Sequence, residues 1–143
     1  MKNQLLILCT LVFSLNSIAQ TTREEISKTI RDSKPNIEAL VADFAKGMNQ
    51  NKGKQVDETT QSLGATANKR AITVDYQLPN HELTVEQGEK LKKIMSAEVI
   101  KKGCAVPIMY VMVKEHEMTI NYRYFDKKMK PITEFLLDKN SCS

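Results

Sequence analysis

The sequence predicts an α+β domain: a four-stranded antiparallel sheet with helices packed on one face, stapled by one disulfide. Three observations carry that expectation. Two stretches join a capping box to apolar residues at helical spacing, three others alternate apolar and polar residues with period 2 ahead of a last strand, and Cys104 and Cys142 bracket the C-terminal segment.

Thr22-Arg23-Glu24-Glu25 has capping-box spacing, and Ile26, Ile30, Ile37, Leu40, Val41, Phe44 and Met48 recur at helical intervals. Pro35 interrupts this run because it has no N–H to donate and crowds the preceding turn, so a kink or two helices follows, the second running from about Pro35 to Asn49. Gly47 and the Asn49 to Gly53 stretch read as a stop and a loop. Leu63, Ala65 and Ala67 then alternate with polar residues. Ile72, Val74, Tyr76 and Leu78 do so more strictly, with Asn68-Lys69-Arg70 as the hairpin loop between the two strands and Pro79-Asn80 as the end.

A second capping box, Thr84-Val85-Glu86-Gln87, opens a helix whose apolar stripe is Leu91, Ile94, Met95 and Val99. Gly103 stands where a helix favours a left-handed residue, which places Cys104 just past the helix end. Pro107 to Val113 allows a buried strand or a short helix opened by Pro107, and the charged Lys114 to Glu117 behind it favours the helical turn. Met118, Ile120, Tyr122 and Tyr124 alternate with Thr119, Asn121, Arg123 and Phe125. Asp126-Lys127-Lys128 turns the chain, and Ile132 to Leu137 returns it as the last strand.

The N-terminus has the three parts of an export signal. Lys2 is the positive region, Leu5 to Leu15 is a mostly apolar run, and Ser17-Ile18-Ala19 is a small-residue cleavage site, so residues 1–19 are expected to leave and 20–143 to form one domain. The apolar run falls short of the roughly 20 residues a membrane-spanning helix needs, and no later segment is longer. Cys9 lies inside that run behind Ile7-Leu8 and leaves with the peptide. The expected location is the periplasm or the exterior, an oxidising compartment where two remaining cysteines default to a bridge. Closing a loop from residue 104 to residue 142 removes about 4 kcal/mol of unfolded-chain freedom.

Without Lys2, 20 of the 21 Lys and Arg remain against 17 Asp and Glu, or +3. That balance, with acids interspersed, gives no basis for nucleic-acid binding, and Lys90, Lys92, Lys93, Lys101 and Lys102 read as a solvated helix face. Catalytic patterns are missing. His81-Glu82 and His116-Glu117 do not continue to a second histidine four positions on, there is no C-x-x-C, and no G-x-S-x-G, P-loop or G-x-G-x-x-G occurs. No acidic residue stands in an apolar setting that would mark an acid–base pair, so no enzyme activity and no cofactor is expected.

The order Cys104, Pro107, Tyr122-x-Tyr124-x-Asp126 and Cys142 resembles the C-terminal half of short exported bacterial proteins that mostly lack an assigned function. The helix, sheet and single-bridge arrangement is also similar to the small pilotins of the type II secretion pathway, which escort an outer-membrane secretin subunit. Pilotins generally carry an acylated N-terminal cysteine, and Cys9 does not match that feature. The resemblance implies a binding or assembly role.

Period-2 geometry supplies a surface for such a role. With Ile72, Val74, Tyr76, Met118, Ile120, Tyr122 and Tyr124 facing the helices, Thr73, Asp75, Gln77, Thr119, Asn121, Arg123 and Phe125 face away. Asp75, Gln77, Asn121, Arg123 and Phe125 are the candidate protein-binding residues. The expected function is therefore recognition of another envelope protein without catalysis. The alternative is a periplasmic small-ligand or copper carrier, since Met109-x-x-Met112 with a histidine supplies soft donors; the competing reading has both methionines filling core gaps.

Overall fold

The computed structural model describes residues 22–142, so the expected export signal and Cys9 lie outside the described residues. Helix α1 spans Arg23–Ser33 and α2 spans Ile37–Asn49, followed by strands β1 (Gln61–Asn68) and β2 (Ala71–Gln77). Then come α3 (Val85–Ala105), α4 (Pro107–Glu115), β3 (Thr119–Phe125) and β4 (Pro131–Leu137).

Both capping boxes form. The Thr22 hydroxyl accepts from the Glu25 N–H at 3.2 Å while the Thr22 N–H donates to the Glu25 carboxylate at 2.8 Å, and Thr84 with Gln87 repeats this at 3.3 and 2.9 Å. Pro35 splits the first apolar run into two helices. Lys34 ends α1 in the left-handed region at φ 45°, and Asn36 caps α2 by accepting from the Ala39 N–H at 3.2 Å. The ambiguous stretch is helical, with Pro107 in the first turn of α4.

The strands lie in sequence order β1-β2-β3-β4, but the sheet is mixed rather than antiparallel throughout: β2 and β3 run parallel, and the two outer pairs are antiparallel. The segment from Leu78 to Met118 crosses over through α3 and α4 and re-enters the sheet in the direction of β2, as a parallel pair requires. Alternation reports which side chains face inward, and that set is the same for either direction. Ile72, Val74, Met118, Ile120, Tyr122 and Tyr124 are all buried beneath the helices.

Helix α2 packs over β1 and β2, α3 over β4, and α1 against α4. Two expectations for α3 are corrected. Gly103 does not stop the helix, which continues through Cys104 to Ala105. The stop comes at Val106, held at φ −77° and ψ 117° because it precedes Pro107. Gly103 instead makes room, since a Cβ there would lie 3.0 Å from Leu137 Cδ2. Gly88 does the same at the other end, where a Cβ would lie 2.8 Å from the Ile132 carbonyl oxygen. The second correction is Ile94, which is 66% exposed and lies off the stripe that Met95, Val99 and Ile100 turn toward the core.

In β1 the alternation slips at a bulge between Ser62 and Gly64, so Ser62 pairs with Tyr76 and is buried while Leu63 is only half-buried. Gly64 sits at φ +109° there, with its absent Cβ facing the Asn49 amide oxygen at 2.7 Å. The bond between Cys104, in the last turn of α3, and the buried Cys142 bridges Cα atoms 5.5 Å apart and fastens the tail after β4 to the helical layer.

Candidate functional site: the open face of the sheet

The helices occupy one side of the sheet, and the other side carries the candidate residues. Parallel pairing sets Thr73 beside Asn121, Asp75 beside Arg123 and Gln77 beside Phe125, so all five candidates lie on two adjacent central strands and on one face.

Arg123 organises the middle of this face. Its Nε donates to Asp75 Oδ1 at 2.7 Å and its Nη2 to Oδ2 at 2.8 Å, a two-pronged pair that planar guanidinium and carboxylate groups match well. The hydrogen bonds from Arg123 to Asp75, opposed by slight burial and aided by the charges of Asp75 and Glu134, push the guanidinium above its ordinary range. Both partners are partly open to water, so the pair contributes at most about 1 kcal/mol to stability. What it fixes is geometry, because the guanidinium also lies 5.7 Å from the centre of the Phe125 ring.

Gln77 is less available than its position suggested. Its amide donates to the Asp126 and Lys127 carbonyls at 3.2 and 3.4 Å and ties the end of β2 to the β3–β4 turn. Two further residues belong to the face. Glu134 lies opposite Arg123, and Leu136, 46% exposed, lies opposite Asn121. Their signal was the inward alternation of Phe135 and Leu137, which sends Glu134 and Leu136 outward.

The features considered for other chemistry fall elsewhere. Met109 and Met112 point into the core, Met112 with no exposed surface, where methionine fills irregular gaps; His81 is exposed and His116 half-buried. Among the described residues no three His, Cys, Asp or Glu side chains gather as a metal site. Both described cysteines are joined in the disulfide. One carboxylate the sequence had not singled out is buried: Asp126 is 1% exposed and accepts from the Lys128 and Lys130 N–H groups at 2.8 and 2.9 Å, which makes it the brace of the β3–β4 turn. Lys90, Lys93, Lys101 and Lys102 of α3 are exposed and Lys92 is half-buried, with Lys90 and Lys102 paired to Glu86 and Glu98 one turn earlier. No helix among the described residues is long and apolar enough to cross a membrane.

No family model matches the chain, and no curated protein matches it in sequence. Solved structures do share its fold. A Pseudomonas aeruginosa protein designated as secreted aligns with TM-score 0.58 at 12% identity over 89% of this chain and 100% of its own. EpsS, the pilotin of the Vibrio vulnificus type 2 secretion system, aligns with TM-score 0.61 at 10% identity over 84% and 97%. AspS, the type II secretion system pilotin of Vibrio cholerae, aligns with TM-score 0.56 at 14% identity over 80% and 99%. At these identities the likeness is one of fold.

Proposed function

We propose that the protein is a small exported, non-enzymatic binding or assembly protein of the bacterial cell envelope, and that it recognises another protein through the open sheet face. The observation that carries this reading is the centre of the sheet, over whose outer side no described helix packs and where Asp75, Asn121, Arg123, Phe125, Glu134 and Leu136 share one face of three adjacent strands. A small-molecule site is usually concave and apolar, whereas an open sheet face mixing an aromatic ring, a fixed guanidinium and an exposed leucine suits a protein partner. The fold shared with two pilotins and a protein designated as secreted supports an envelope setting. Export through residues 1–19 and residence in the periplasm or outside the cell are part of the same proposal.

The test is a photo-crosslinking residue placed at Asn121 and, separately, at Lys93 on the exposed side of α3. The expected result is one discrete adduct from Asn121 that disappears when Arg123→Glu is added and never forms from Lys93. Identical adducts from both positions, or an Asn121 adduct indifferent to Arg123→Glu, would overturn the assignment.

A further inference from the structure

The register lines up Gly64, Asp75, Arg123 and Glu134 across the open face, with Thr73, Asn121 and Leu136 in the next row. The three charges of the first row are not used alike. Asp75 receives an Arg123 nitrogen on each of its oxygens, at 2.7 and 2.8 Å, so its charge is matched in place. Glu134 is exposed, and among the described residues it enters none of the ion pairs. With Asp75 and Glu134 against Arg123, the row has one negative charge in excess, on a chain whose formal charge is +4. Leu136 stands two residues along β4 from Glu134, on the same side and 46% exposed.

We propose that the partner of the open face is a basic polypeptide segment, which sets a lysine or arginine on Glu134 and an apolar side chain on Leu136. This rests on the reading of that face as the binding surface and adds what the surface selects.

The alternatives fail on charge. An acidic segment brings a third carboxylate to a row whose single guanidinium is already engaged through two nitrogens, and like charges brought together disfavour binding. A wholly apolar segment covers Glu134 and leaves its charge without water or a counter-ion, which is more costly still. A cation avoids both penalties. Its apolar neighbour then needs to stand about 7 Å away, the spacing of side chains two apart in a strand, to cover Leu136. Arg123 is a positioning residue in this arrangement. It holds Asp75 and lies 5.7 Å from the Phe125 ring, so Arg123→Glu dismantles the row's geometry, whereas changes at Glu134 test its charge.

The test titrates the nitrogen-15-labelled chain with two synthetic peptides, N-acetylated Leu-Lys-Leu-Lys-Leu amide and its counterpart with glutamate in place of lysine. Saturable shifts of the Asn121, Glu134 and Leu136 amide signals are expected with the lysine peptide and not with the glutamate peptide. Glu134→Gln should weaken the lysine peptide roughly fivefold, the loss of one accessible charge contact, and Glu134→Lys should reverse the order of the two peptides. Glu134 is exposed, so both variants should fold, which a thermal melt checks. The inference is overturned if the lysine peptide does not saturate, if the two peptides bind alike, or if Glu134→Gln binds the lysine peptide as the wild type does. The Asn121 crosslink separates this failure from that of the reading beneath it. An adduct that survives Glu134→Lys keeps the face as a binding surface and removes the basic partner, whereas no adduct from Asn121 in any variant removes the binding surface itself.

Discussion

Gly88 and Gly103 are two points of close approach between α3 and β4, and the different atoms they face give opposite expectations. At Gly88 an added Cβ meets the Ile132 backbone carbonyl at 2.8 Å, which can retreat only if helix and strand move apart. Gly88→Ala should therefore cost about 1–3 kcal/mol, despite alanine's better helix propensity. At Gly103 the neighbour is the tip of the Leu137 side chain at 3.0 Å, which a small rotation relieves. Gly103→Ala should be near neutral or stabilising by up to about 1 kcal/mol. Urea unfolding of the two variants checks both, and equal destabilisation would refute this account of the contact. The buried tyrosines make a pH prediction of definite sign. Burial raises Tyr76, Tyr122 and Tyr124 above the ordinary value of 10.0 in the folded chain. The folded protein then holds protons that the unfolded chain releases, so stability is fully present below pH 10.0 and falls as pH rises beyond it. Absorbance at the tyrosinate band should rise together with loss of fold, and Tyr124→Phe should shallow that alkaline limb.

The edge of β1 is blocked by the chain itself. The Asn49 side chain accepts from the Ala65 N–H at 2.7 Å and donates to the Ala65 carbonyl at 2.8 Å, standing in for a neighbouring strand. Further along, Gly53 and Lys54 bond to Ser62. A blocked edge discourages further strand pairing along β1. Asn49→Ala should cost about 1–3 kcal/mol by stranding the Ala65 groups, and it should promote self-association visible in sedimentation at raised concentration. Wild-type sedimentation behaviour in that variant would show that the side chain is not what guards the edge. At this scale much was legible beforehand. Thr22 with Glu25 and Thr84 with Gln87 announced two helix starts because a cap is a local hydrogen-bond pattern, and the alternation from Ile72 and from Met118 announced the inward faces. The parallel pairing of β2 and β3 was not legible, because direction is set by where the α3–α4 crossover delivers the chain. The Gly103 stop failed for a related reason: that glycine answers to Leu137, which lies far away in sequence. The open-face positions of Asp75, Asn121, Arg123 and Phe125 followed from period 2, while the use of Gln77 as a tie to Asp126 depended on the turn's path.

The molecule as a whole is two layers joined by many side chains and one covalent bond. The disulfide encloses α4, β3 and β4 in a loop of sequence separation 38, leaving α1, α2, β1 and β2 outside it. The enclosed tail has other holds. Asp138 accepts from the Asn140 N–H at 2.9 Å and the Ser141 hydroxyl at 3.0 Å, Lys114 donates to the Lys139 carbonyl at 3.0 Å, and Lys139 pairs with Glu117 at 2.7 Å. These holds are exposed or only part-buried and individually weak, whereas Cys142 and Leu137 are fully packed. Reduction should therefore leave the sheet order intact while lowering stability by about 4 kcal/mol, the freedom that a loop of this length returns to the unfolded chain. Local opening should start at the tail. Hydrogen exchange of the reduced protein, or of Cys104→Ser with Cys142→Ser, should show residues 138–142 losing protection first, with β1 and β2 following only at global unfolding. If every strand loses protection together on reduction, the bond is holding the two layers in place rather than pinning the chain's end, and the central β2–β3 pairing would then depend on the α3 anchor at Cys104.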